Sequence, residues 1–201
     1  MNYKDSRDAA WKMLLKSKVS SLPVNVKKIC KSEGIRLVSY SSGARVIHKL
    51  GLESNMVGND AFSVGKVIFY DDKTSIGRQR FSIAHELGHI VLHCSERVTV
   101  YNREPSPNDD PIEAEANVFA SRLLAPLCVL HYLNVKSAQE ISELCNISSA
   151  AAKIRFERLC AVRERDRELR LFMGRGCFLL SPLEREVYRM FEGYIRKNRK
   201  D

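Results

Sequence analysis

Within the chain's 201 residues, the run His85-Glu86-Leu87-Gly88-His89 joins two histidines four positions apart to a glutamate. On a helix, residues four apart share a face about one turn, roughly 5.4 Å, apart. His85 and His89 can therefore offer two imidazole nitrogens to one metal ion, with Glu86 beside them as a candidate general base. Ile83, Leu87, Ile90 and Cys94 on one side, and Ala84, Gly88 and Val91 on another, predict a helix buried on several sides. Ionisable groups in such a helix need compensation, which a divalent cation would supply, because neutral imidazole ligates metal and an uncompensated buried charge is costly. A core helix can also hold a histidine bonded to a backbone carbonyl, so the spacing calls for a third ligand elsewhere.

Residues 110–126 offer one. Asp110 is a good N-cap, Pro111 suits the first helical position, and the helix should stop before Pro126. Glu113 and Glu115 lie about 200° apart around it, so at most one is expected to face the histidine-bearing helix. Glu113 shares its side with Ala116, Asn117, Ala120 and Leu124, where small residues permit close packing; Glu115 should point away. Glu113 is thus the candidate third ligand, the competing role being a capping box with the Asp110 amide. Asn117, one turn on, could accept a hydrogen bond from a ligating histidine and fix its tautomer. His93 stands eight residues after His85, about 12 Å along the axis, too far for all three histidines to hold one ion. It reads as a helix-terminal or supporting group.

Several elements would position these residues. A helix over residues 5–18 is expected first, then one opened by Leu22-Pro23 and closed at Gly34, then a strand over Ile35 to Tyr40. Residues 41–60 are rich in Ser, Gly and Asn, and His48 there reads as a surface residue. Gly65 to Tyr70 forms a strand just before the motif helix. If it is a sheet edge, an extended peptide could pair with it, making Phe69 a candidate substrate contact; otherwise it is a core strand. Arg78 and Arg80 could orient a substrate carbonyl or carboxylate, or simply be solvated or salt-bridged. Residues 95–110 read as a long loop from which Tyr101 and Arg103 could reach a substrate.

Beyond Pro126, Ser137 to Asn146 shows a capping box and a short helix, and a second helix follows over about 149–168, a pattern like a helix-turn-helix. Its Ser149-Ala150-Ala151-Ala152 start offers little for reading bases, although Lys153 and Arg155 could touch phosphate. Ser181-Pro182-Leu183-Glu184 starts a last helix with Val187, Tyr188, Phe191 and Ile195 on its apolar side.

Net charge is +9, distributed as +8 over residues 1–50 (11 basic, 3 acidic), −5 over 51–152 (8 and 13) and +6 over 153–201 (14 and 8). The metal-ligating candidates lie in the acidic third, so direct nucleic-acid binding, which the basic flanks leave open, is not the favoured reading. No apolar run approaches the roughly 18 residues of a membrane span and no secretion signal is evident, so a cytoplasmic protein is expected. The six cysteines form no Cys-x-x-Cys pair, which argues for reduced, mostly packed thiols.

Arg78-Gln79-Arg80-Phe81-Ser82-Ile83-Ala84-His85-Glu86-Leu87-Gly88-His89, with Glu113-x-x-Ala116-Asn117-x-Phe119-Ala120-x-x-Leu123-Leu124-x-Pro126, resembles the ImmA/IrrE family of bacterial and phage metallopeptidases. Leu22-Pro23-Val24 and the Gly34-Ile35 strand entry resemble that family's front end. The resemblance implies an α+β fold, a mostly helical zincin-like domain with a small antiparallel sheet. It also implies Zn2+ held by His85, His89 and Glu113, with Glu86 as catalytic base, and a protein substrate, a helix-turn-helix repressor of mobile-element or stress genes. Two histidines and one glutamate leave a tetrahedral zinc one open position. The expected organisation is a catalytic domain over 1–133, a helix-turn-helix-like subdomain over 134–168 and a helical extension over 169–201. The rival reading is a non-catalytic DNA-binding or protein-binding regulator with a structural metal.

Overall fold

The computed structural model describes residues 3–93, 111–173 (backbone alone for 169–173) and 180–199. Nine α-helices and three strands are found among them: α1 (Tyr3–Lys16), α2 (Val26–Ser32), β1 (Arg36–Ser39), α3 (Tyr40–Lys49), β2 (Ala61–Val64), β3 (Val67–Tyr70), α4 (Ile76–Leu92), α5 (Pro111–Leu124), α6 (Leu127–Tyr132), α7 (Ala138–Cys145), α8 (Ser149–Met173) and α9 (Pro182–Asn198). The fold is mostly helical α+β. Two compact units are present, Met1–Ala10 with Asn25–Ala120, and Trp11–Val24 with Ser121–Asp201.

The first unit is built on a three-stranded sheet of order β1-β3-β2. The expected antiparallel sheet is in fact mixed: β3 runs parallel to β1, pairing Leu37 with Ile68, and antiparallel to β2, pairing Ser63 with Ile68. The pleat sends alternate side chains to opposite faces. Phe62 and Phe69 go to one, their rings stacked at 4.9 Å, and join Tyr40 and Ile47 of α3 in a core cluster. Helix α4 packs on β2 and β3 and against α2.

Helix α3 occupies ground that the sequence presents as a polar stretch, and β2, just beyond that stretch, is not among the expected strands. Ser39 caps α3 by accepting from the Ser42 amide at 3.1 Å. Tyr40, Gly43 and Ile47 then form one buried face. Gly43 is required there, because a Cβ would lie 2.6 Å from Val38 Cγ1. Tertiary packing selects this helix against a weak local preference. The second helix also starts later than Leu22-Pro23 suggests, at Val26, since Asn25 Oδ1 accepts from the Lys28 amide and supplies the cap. His48 is exposed, on α3, and pairs with Glu53.

In the second unit α6 packs on α8 and α9, and α7 packs on α8. Val187, Phe191 and Ile195 are buried on α9, whose start carries a full capping box between Ser181 and Glu184. At α7 the box is split: Ser137 accepts from the Glu140 amide, while the Glu140 carboxylate accepts from the Lys136 amide. Arg155 does not present itself to a phosphate. It is 3% exposed, and its Nε donates to Ala125 O at 2.6 Å, just past the C-terminal end of α5. The negative end of that helix's dipole favours a cation there. Burial, reinforced by Arg122, pushes the Arg155 pKa well down. Cys30, Cys128 and Cys145 are buried thiols outside any disulfide, and burial pushes the Cys30 and Cys128 thiols up to about 12, which keeps them unreactive. Cys94, Cys177 and the expected loop at 95–110, with Tyr101 and Arg103, lie outside the described residues.

Phe62 is 1% exposed at the centre of the first unit's aromatic cluster. Its replacement, Phe62→Ala, is expected to cost about 3–5 kcal/mol in urea denaturation, the usual penalty for emptying an aromatic site in a packed core.

Candidate metal centre

Ser75 caps α4, accepting from the Arg78 amide, and the helix runs to Leu92 with His93 as its C-cap. Residues 82–89 are all buried. Ile83, Ala84 and Leu87 are each 0% exposed, so this middle stretch is fixed by apolar packing on every turn. His85 is 1% and His89 3% exposed, which leaves little freedom to either imidazole.

Helix α5 brings the third group. Gly88 is the point of closest approach: an added Cβ would stand 3.1 Å from Phe119 Cδ1, 3.2 Å from Ala116 Cα and 3.3 Å from Ala116 O. Two of these three are backbone atoms that cannot swing aside. The small residues expected to allow close packing thus do so from both helices, Gly88 on α4 and Ala116 on α5.

Close packing brings three side chains to one point. His85 Nε2 and His89 Nε2 are 2.9 Å apart, Glu113 Oε2 is 3.1 Å from the first and Glu113 Oε1 3.1 Å from the second. The three residues' ligand atoms all lie within 4.8 Å of one another. Asn117 Oδ1 accepts a hydrogen bond from His85 Nδ1 at 2.9 Å. A carboxamide oxygen only accepts, so the proton sits on Nδ1 and His85 turns a lone pair inward from Nε2. Imidazole nitrogens and carboxylate oxygens pointed at one spot repel unless a proton or a cation lies among them. Two imidazoles and a carboxylate are a donor set suited to zinc and neighbouring divalent metals, and the residues fit such an ion. Burial raises the Glu113 carboxyl, but two protonated histidines, by hydrogen bonds and attraction, outweigh it and hold the group well below the ordinary carboxylate range; with neutral imidazoles a bound cation takes over that attraction.

Glu86 is buried beside this cluster at 6% exposure, and its Oε2 accepts from Ser63 Oγ at 2.8 Å. Sequence reasoning missed that partner, because strand β2 was hidden behind a polar stretch; the short alternation Ala61-Phe62-Ser63-Val64 before a Gly65 turn is the signal that could have found it. His93 stays outside the cluster, as distance along α4 requires. Glu115, however, does not point away from α4, since its Oε2 is 3.6 Å from His93 Nε2 at that helix's end. A flexible glutamate on the flank of α5 reaches the C-cap of α4 even though it could not reach the middle.

The substrate-contact candidates fare unevenly. Phe69 is 3% exposed in the core and unable to touch a substrate with its ring. Strand β3, which carries it, is central in the sheet, so the edge beside α4 belongs to β2. Arg78 is exposed but engaged, its Nε donating to Asp60 Oδ2 at 2.6 Å, while Arg80 is half-buried on α4.

A family model described as the IrrE N-terminal-like domain, Peptidase_M78, matches residues 30–157, well over half of the chain. No curated protein matches it.

Two outcomes are expected for the purified chain. Asn117→Ala should weaken divalent-metal affinity by about 10- to 100-fold in a chelator competition, by freeing the His85 ring. Gly88→Val should cost about 2–3 kcal/mol in chemical denaturation and weaken metal binding as well, by forcing α4 and α5 apart.

Proposed function

The chain belongs to the Peptidase_M78 family, and on that premise we propose that it is a zinc-dependent endopeptidase that cleaves one specific protein, a helix-turn-helix transcriptional repressor of a mobile element or stress regulon, in the cytoplasm. The observation that carries the peptidase reading is the convergence of His85, His89 and Glu113 next to a buried Glu86. What supports a repressor as the substrate is the family resemblance of the two motifs. Among the described residues no helix is long and apolar enough to cross a membrane.

His85, His89 and Glu113 would hold the ion, and Asn117 would keep the His85 ring in the tautomer that ligation needs. When bound, zinc supplies Lewis acidity and lowers the pKa of water toward neutrality. Glu86 takes the proton of the attacking water and later gives it to the leaving amine, work suited to a carboxylate held within reach of both. Strand β2, at the edge of the sheet on the side of α4, offers main-chain groups with which an extended peptide could pair.

The test uses the chain loaded with Zn2+ and, as candidate substrates, helix-turn-helix repressors purified from the same source. Cleavage is expected to stop with chelator and return with Zn2+, and Glu86→Gln should lower the rate at least about 1,000-fold while metal stays bound. Equal cleavage by Glu86→Gln would sink the mechanism. A chain that chelation unfolds, and that never cuts a peptide, would instead have a structural metal.

A further inference from the structure

Ser63 has a buried hydroxyl with one hydrogen-bond partner among the described residues. It is 8% exposed, in a strand whose neighbours Ala61 and Phe62 are buried and apolar, and its Oγ lies 2.8 Å from Glu86 Oε2. Alternation along β2 puts Phe62 on the α3 side of the sheet and Ser63 on the α4 side. The strand is pinned at its start by two ties. Arg78 at the head of α4 bonds the Asp60 carboxylate at 2.6 Å, and the Asp71 amide donates to Asp60 O at 2.7 Å. Three residues on, Ser63 is held in register opposite Ile68. An ionised carboxylate can only accept, so the hydroxyl donates. Nothing in the packing of a four-residue strand needs a hydroxyl here; alanine would satisfy the sheet equally well.

We infer that Ser63 is a positioning residue for Glu86. Its hydroxyl occupies Oε2 and fixes the carboxylate's rotamer, leaving Oε1 as the oxygen that exchanges a proton beside the metal. The inference rests on the reading of Glu86 as general base. It also gives β2 a second duty, since the strand that would pair with substrate is the one that aims the base.

The experiment takes the full-length chain loaded with Co2+, whose visible spectrum reports the ligand set, and titrates it with acetohydroxamate, a chelating acid whose proton needs an acceptor next to the metal. Ser63→Ala is expected to weaken acetohydroxamate roughly ten-fold or more, the usual cost of losing a hydrogen bond to a charged group, with the cobalt spectrum and stoichiometry unchanged. Ser63→Thr, which keeps the hydroxyl, should bind like the wild type, and the Ser63→Ala effect should vanish in a Glu86→Ala background. Should Ser63→Ala fail to fold, Ser63→Cys, of similar volume and a weak donor, takes its place. Wild-type affinity in Ser63→Ala, or an equal loss in the Glu86→Ala background, would overturn the role of Ser63 and leave the peptidase reading standing. Failure of the wild-type chain to bind Co2+ would overturn both.

Discussion

Everything chemical in this protein hangs on how closely α4 and α5 approach at Gly88. A glutamate on one helix can meet two histidines on another only if the backbones come nearer than ordinary side chains allow. Here that distance is set by a glycine facing an alanine, with Phe119 beside them. The approach is rigid because its limits are main-chain atoms. It is also oriented, because the spacing of His85 and His89 by one turn makes a single carboxylate bridge both imidazoles, one oxygen to each.

Burying three ionisable side chains in consecutive turns of an apolar helix is costly, and the structure meets each cost separately. His85 is tied through Nδ1 to Asn117, both imidazoles face Glu113, and Glu86 is tied to Ser63. Each partner comes from a different element than α4, so the site assembles only when the sheet and α5 are both in place. That dependence explains why the helix motif alone underdetermines the chemistry: the five residues fix the spacing, and their partners fix tautomer, charge and aim.

What could be read from the sequence divides along physical lines. The motif helix, the approach of Glu113 to its two histidines and the bond between Asn117 and His85 were legible because helical geometry converts spacing directly into facing. The end of α5 before Pro126 and the start of α9 at Ser181 were legible because proline and capping chemistry are local. Helix α3 was not, because its glycine and serines favour loops until Val38 and Phe69 pack against Gly43. Strand β2 was too short to show much period, and with it went Ser63 and the true edge of the sheet. Arg155 misled for a related reason. A guanidinium near the start of a helix reads as a surface charge, and only the fold reveals the carbonyl of Ala125 waiting for it. Glu115 shows the limit of helical-wheel arguments, which locate Cβ atoms but not the ends of long side chains.

On the proposed pairing of a peptide with β2, the shortness of that strand has a consequence for selectivity. Four residues make about 13 Å of strand, and main-chain pairing along it reads the direction and extension of a peptide but nothing of its sequence. An edge of that length can hold a segment without choosing it. Discrimination among peptides must therefore be encoded in side-chain contacts away from the strand, so that grip and choice can change independently as the chain diverges.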